Sequence, residues 1–131
     1  MGCVSRDTIV AASDLPQERV DVPEWGAGAY VNVRSLTGSE RDSWEAFCIE
    51  QREAYKSDGG FPGLRASMLV RCLVDDEGKR LFLDTDTEVL GAKNGAVLDR
   101  LWTVAARLNA LTDSDVETLK KTSEPTPGDG S

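Results

Sequence analysis

Asn94-Gly95-Ala96-Val97-Leu98-Asp99-Arg100-Leu101-Trp102-Thr103-Val104-Ala105-Ala106-Arg107-Leu108-Asn109-Ala110-Leu111 decides the fold. Asn94 is a good N-cap residue. Behind it, Val97, Leu101, Val104, Leu108 and Leu111 recur at spacings of four, three, four and three. That is helical periodicity. Leu98, Trp102, Ala105 and Ala106 widen the apolar arc, which predicts a helix buried on more than one side and central to the molecule. Each large side chain buried there contributes ~1.5–3 kcal/mol.

Upstream, Leu36-Thr37-Gly38-Ser39-Glu40 reads as a capping box, because Thr37 can accept from the amide three residues on and Glu40 can reach back. The helix it opens is expected to run to about Tyr55, with Trp44, Phe47, Cys48, Gln51 and Tyr55 on one face. Ser57-Asp58-Gly59-Gly60 and Pro62-Gly63 break the chain. Leu64 to Val74 is apolar apart from Arg65, Ser67 and Arg71, and its Ala, Met and Leu content favours helix. Asp75 to Lys79 is a polar turn, followed by a short extended piece from Arg80 to Leu83, expected to be aimed inward by Leu81 and Phe82 or Leu83. A second capping box is expected at Thr85-Asp86-Thr87-Glu88, with Gly91 placed to end its helix. Thr112 or Asp113 caps a last helix carrying Val116 and Leu119.

The N-terminal third reads differently. Val20 and Val22 alternate with polar residues, Pro23 marks a strand end, and Gly26-Ala27-Gly28 supplies a turn. Tyr30-Val31-Asn32-Val33-Arg34 is the return strand. A lone hairpin is marginal in water, so this one must pack on the helices. The expectation is an α+β fold, mainly α-helical, with an N-terminal β-hairpin packed on a small helical bundle. Residues 1–19 form an N-terminal arm with a short helix capped by Ser5. Residues 20–121 form a single globular domain. Residues 122–131 hold no large apolar side chain and form a disordered tail.

Composition narrows the function. The chain has 131 residues, enough for one domain with a substantial core. Its net charge of -8 repels phosphate backbones and attracts basic partners, so nucleic acid is not an expected partner. With no histidine, Ser–His and Cys–His catalysis is impossible. There is no S-x-x-K and no phosphate-binding loop ending in Gly-Lys-Ser/Thr. The three cysteines lack C-x-x-C spacing, and Cys48 and Cys72 read as core residues in a reducing, cytosolic setting. No apolar run approaches the ~20 residues that span a bilayer. Arg6 replaces the Ser or Thr that a myristoylation signal carries, so no membrane partner is expected.

Asp84-Thr85-Asp86-Thr87-Glu88 fails as a calcium loop, because Val89 and Gly95 stand where Gly and a bidentate Glu belong. Acids at the positive end of a helix dipole explain it instead. The pairs Asp75–Asp76, Asp84–Asp86 and Asp113–Asp115 fall in turns and caps, a solvated setting that shifts no pKa for general acid–base work. Hence no catalytic, cofactor-binding or metal-ligating residue is expected. Trp25 sits in the hairpin turn. It either folds back onto the core or stands as an aromatic anchor for a protein partner. Trp25 and Tyr30 are the candidate partner-binding residues.

Several short segments, in order, resemble the tail assembly chaperones of long-tailed, siphovirus-type bacteriophages. They are Leu15-Pro16, Val20-Asp21-Val22-Pro23-Glu24-Trp25-Gly26, Val31-Asn32-Val33-Arg34, Leu36 to Asp42, Cys72 to Phe82, Leu98 to Trp102 and Arg107 to Leu111. The resemblance covers about residues 7–121. It implies a non-catalytic assembly factor that binds the phage tape measure protein, keeps it soluble and promotes tail tube polymerisation around it. It also implies action in the host cytoplasm and absence from the mature virion. Many such proteins have a longer, frameshifted form that engages the tail tube protein. This chain would be the short form, with Lys120-Lys121 as a candidate slippery site. A homo-oligomer is compatible with this reading. The rival reading is a small structural tail or head–tail connector protein.

Overall fold

A computed structural model describes residues 2–56 and 60–120. Lys121 and the expected tail 122–131 lie outside the described residues. Among the described residues, six helices and three strands follow one another: α1 (Arg6–Ala11), β1 (Gln17–Asp21), β2 (Tyr30–Arg34), α2 (Gly38–Tyr55), α3 (Leu64–Cys72), β3 (Leu73–Val74), α4 (Thr87–Gly91), α5 (Gly95–Leu108) and α6 (Asp113–Lys120). The fold is α+β and mainly helical, as expected. β1 already begins at Gln17, inside the stretch read as an arm.

The sheet is antiparallel in the order β1-β2-β3. Val20 pairs with Val31 and Arg19 with Asn32. Alternation then directs Val20, Val22, Val31 and Val33 to the core and Tyr30 to the other face. The third strand departs from the sequence expectation. Leu73 and Val74 leave the helix, Leu73 with ψ 123, and pair with Val33 and Asn32. Both are wholly buried, so their apolar character cannot distinguish helix from strand.

The Thr37–Glu40 capping box forms: Glu40 N–H donates to Thr37 Oγ1 at 3.1 Å, and Thr37 N–H donates to Glu40 Oε1 at 3.0 Å. Asn94 Oδ1 accepts from Ala96 and Val97. Thr112 Oγ1 accepts from Asp115 N–H at 3.0 Å, which resolves the choice of cap for α6. The box expected at Thr85–Glu88 does not form. Asp84 is engaged by Ser43 and Arg80, a 3-10 turn spans Asp84–Asp86, and Asp86 reaches back to the Leu83 amide at 2.8 Å. Of the piece before it, Phe82 turns inward while Leu81 and Leu83 are exposed.

The central helix is α3, not α5. Ala66 to Cys72 are all buried, because α3 packs against α2, α4, α5 and β2. α5 buries Val97, Leu98, Leu101 and Ala105 but exposes Asp99, Arg100, Thr103 and Arg107 to solvent on its other side. The Ser67 hydroxyl inside α3 is satisfied. Trp44 Nε1 donates to Ser67 Oγ at 3.0 Å, and Ser67 Oγ donates to the Leu64 carbonyl at 3.0 Å.

Candidate protein-binding surfaces

The hairpin turn is tied to α5 by a two-pronged ion pair. Arg100 donates to both Glu24 carboxylate oxygens, at 2.9 and 2.6 Å, and to the Asp21 carbonyl at 3.2 Å. These hydrogen bonds hold the Glu24 carboxyl at a pKa of about 2, below its ordinary 4.5. Trp25 closes the 3-10 turn Pro23–Trp25 and packs half-buried against the core. Tyr30 is 38% exposed, with its hydroxyl donating to Asp76 Oδ2 at 2.6 Å and the Arg19 guanidinium stacked 4.6 Å from its ring. The Asp76 hydrogen bond raises the Tyr30 pKa, and the Tyr30 and Asn32 hydrogen bonds lower that of Asp76. The two candidate residues are therefore not brought together: Trp25 packs on the core side, and Tyr30 lies on the other face of the sheet.

A second cluster joins the sheet to α2, α3 and the 80–86 segment. Arg34 and Arg80 both pair with Glu40, and Arg80 and Arg71 both pair with Asp84. Arg71 is 97% buried, the complement of its 3% exposure. It donates to the Ser67 carbonyl at 2.6 Å and to Ser43 Oγ at 3.1 Å. Burial lowers its pKa and the Asp84 charge opposes that shift. For Asp84, burial acts upward, but hydrogen bonds from Arg80 and Ser43 with the charge of Arg71 carry the net shift below the usual value. This cluster fastens the sheet to α2, α3 and the 80–86 segment. The Cys48 and Cys72 thiols are pushed up to about 12 by burial, which leaves them inert.

Two cavities meet at the Pro62-Gly63 corner and share Gly91. Gly63 has φ +92, a conformation that favours glycine, and a Cβ there would sit tightly, 3.3 Å from Thr87 and 3.4 Å from Phe47. One cavity, about 400 Å³, lies between α2 and α4 and is lined by Phe47, Gln51, Tyr55, Thr87, Glu88 and Ala92 among others. The second, about 470 Å³, lies among α3, α5 and α6. Aromatic pairs stiffen their walls: Phe47 meets Phe61 edge-on at 6.4 Å, and Trp44 meets Trp102 at 6.3 Å. Linings that mix large apolar side chains with polar and charged groups suit contact with a protein surface. Sequence reasoning missed both cavities, because their walls come from residues tens of positions apart. Among the described residues no cluster of acids and cysteines could hold a metal ion, and no helix is long and apolar enough to cross a membrane.

The family model for phage tail assembly chaperones matches residues 6–122. Among solved structures, the bacteriophage HK97 tail assembly chaperone has a similar fold, with a TM-score of 0.54 and 22% identity over 82% of this chain and 95% of that one. A comparison with curated proteins gives no match. The family match spans nearly the whole described fold, from α1 to the end of α6, and the chain belongs to the phage tail assembly chaperone family.

Proposed function

We propose that this tail assembly chaperone binds the tape measure protein of its phage, keeps it soluble, and promotes tail tube polymerisation around it. The observation that carries this reading is the open groove between α2 and α4. Its floor is Phe47 and the Pro62-Gly63 corner, and Tyr55, 53% exposed, stands at its rim. A groove with an apolar floor and Gln51, Thr87 and Glu88 along its edge receives the apolar face of an amphipathic helix. A tape measure protein, as a long helical chain, offers such faces in series. The net charge of -8 keeps the complex in solution. The family is a non-catalytic kind of protein, and the proposed role has no chemical step.

Trp25 and Tyr30 are proposed as a further contact with tail proteins. A longer, frameshifted form would engage the tail tube protein. The site of action is the host cytoplasm, and the chaperone leaves before the virion is complete. Mass spectrometry of purified particles checks this; stoichiometric recovery of the chain there favours a structural tail or connector protein.

The groove is tested by co-expression with the tape measure protein of the same phage. Wild-type chain should carry that protein into the soluble fraction. Tyr55→Ala combined with Ala92→Glu should leave it in the pellet, while the chaperone itself stays folded, since both positions are exposed. Undiminished rescue by the double variant would move the contact elsewhere.

A further inference from the structure

The groove between α2 and α4 carries charge of one sign. Among the described residues that line its cavity of about 400 Å³, Glu88 is the one with a charged side chain. Lys56 and Lys93 follow the two walls in sequence, yet neither lines it. Elsewhere in the molecule Glu18, Glu24, Glu40 and Asp84 each hold an arginine. Glu88 is exposed and has no ion pair among the described residues. An acid beside an apolar floor loses water when a partner seats there, and the cost falls only if the partner brings a cation to it.

The wall that holds Glu88 changes along its length. Glu88 and Ala92 are four residues apart on one side of α4, about one turn or roughly 6 Å. Gly91 and Ala92 make the other end of this wall small. Gly63 adds space at the floor. A Cβ there would reach both Phe47 of α2 and Thr87 of α4, so its missing side chain leaves room between the two walls. A large side chain thus fits at one end of the groove, and a cation is called for one turn away.

We infer that the groove selects, among the helices of the tape measure protein, those with a large apolar side chain and a lysine or arginine three or four residues from it on the same face. The apolar group enters beside Gly63, Gly91 and Ala92, and the cation meets Glu88. Three or four residues is the spacing of neighbours on one helix face, and it matches one turn of α4. Helices with an acid in that place are refused, because like charges meet as water leaves. This inference rests on the tape measure reading above and adds the chemistry of the partner to it.

Fluorescence anisotropy of the full chain with labelled peptides tiled along the tape measure protein of the same phage tests it. The tightest tiles should carry the apolar–basic pair. Exchanging their basic residue for Glu should weaken binding about 5- to 10-fold. Glu88→Lys should weaken the original tiles by a similar factor and restore the exchanged ones, a reciprocity that mere damage to the groove does not produce. Glu88→Gln should reduce the preference without reversing it. Tyr55→Ala combined with Ala92→Glu reports on the groove itself. Tiles that lose binding in that double variant but ignore the charge at Glu88 overturn the inference and leave the groove reading standing. So do tightest tiles that lack the pair. Tiles that bind the double variant as well as wild type, or the absence of binding by any tile, overturn both.

Discussion

Helices α3 and α1 are the two extremes of this molecule. α3 is buried from Ala66 to Cys72, including a serine and an arginine, while α1 buries no side chain among the described residues. Both carry well-formed helical turns and apolar residues. The difference is that α3 is held by neighbours on every side, and its buried Ser67 and Arg71 both bond to neighbouring groups. α1 is held only by its own cap. Stability resides in the first and availability for partners in the second.

The sharpest way to break this comparison is to truncate each helix. Leu69→Ala in α3 should cost about 2–5 kcal/mol, because a wholly buried side chain leaves a cavity. Ile9→Ala in α1 should change stability by no more than about 0.5 kcal/mol in dilute solution. Urea denaturation measures both, and equal effects would contradict the contrast. Next in size is Trp44→Phe. It removes the indole donor to Ser67 and leaves a small void beside α3, for an expected loss of about 2–3 kcal/mol. Thr37→Ala removes the cap that starts α2, at about 1 kcal/mol, with the loss visible in thermal melts followed by circular dichroism.

The smallest expected effect is on pH dependence. Glu24, Asp76 and Asp84 all have folded-state pKa values below their ordinary ones. Their stabilisation is complete above the ordinary carboxylate range and is lost as pH falls through the folded values, for Glu24 between 4.5 and about 2. Stability should therefore decline on acidification below that range. Glu24→Gln should flatten part of the slope, because it removes the charged partner of Arg100. An unchanged slope in denaturation series at falling pH would show that the hairpin turn is not pinned this way.

How much of this was legible in the sequence depends on whether the cause is local. The Thr37–Glu40 box and the Asn94 cap are local, since their partners lie within three residues, and the hairpin pairs strands adjacent in the chain; each forms as read. The strand at Leu73–Val74 was not legible, because its partner Val33 lies forty positions away and an apolar run buried on all sides has no period. The exchange of roles between α3 and α5 has the same origin. The strong apolar stripe of α5 marks one buried face, whereas Arg65, Ser67 and Arg71 interrupt α3 and disguise a helix enclosed by four elements. The site was least legible of all. Trp25 and Tyr30 stand out as residues, but the cavities exist only where Phe47, Pro62, Gly91 and Trp102 converge.

The most direct test of the account is the partition of the tape measure protein of the same phage, expressed with and without this chain. The account predicts that it pellets alone, becomes soluble when co-expressed, and purifies with the chaperone in fixed proportion. A tape measure protein that stays in the pellet beside a soluble, unaccompanied chaperone would contradict it.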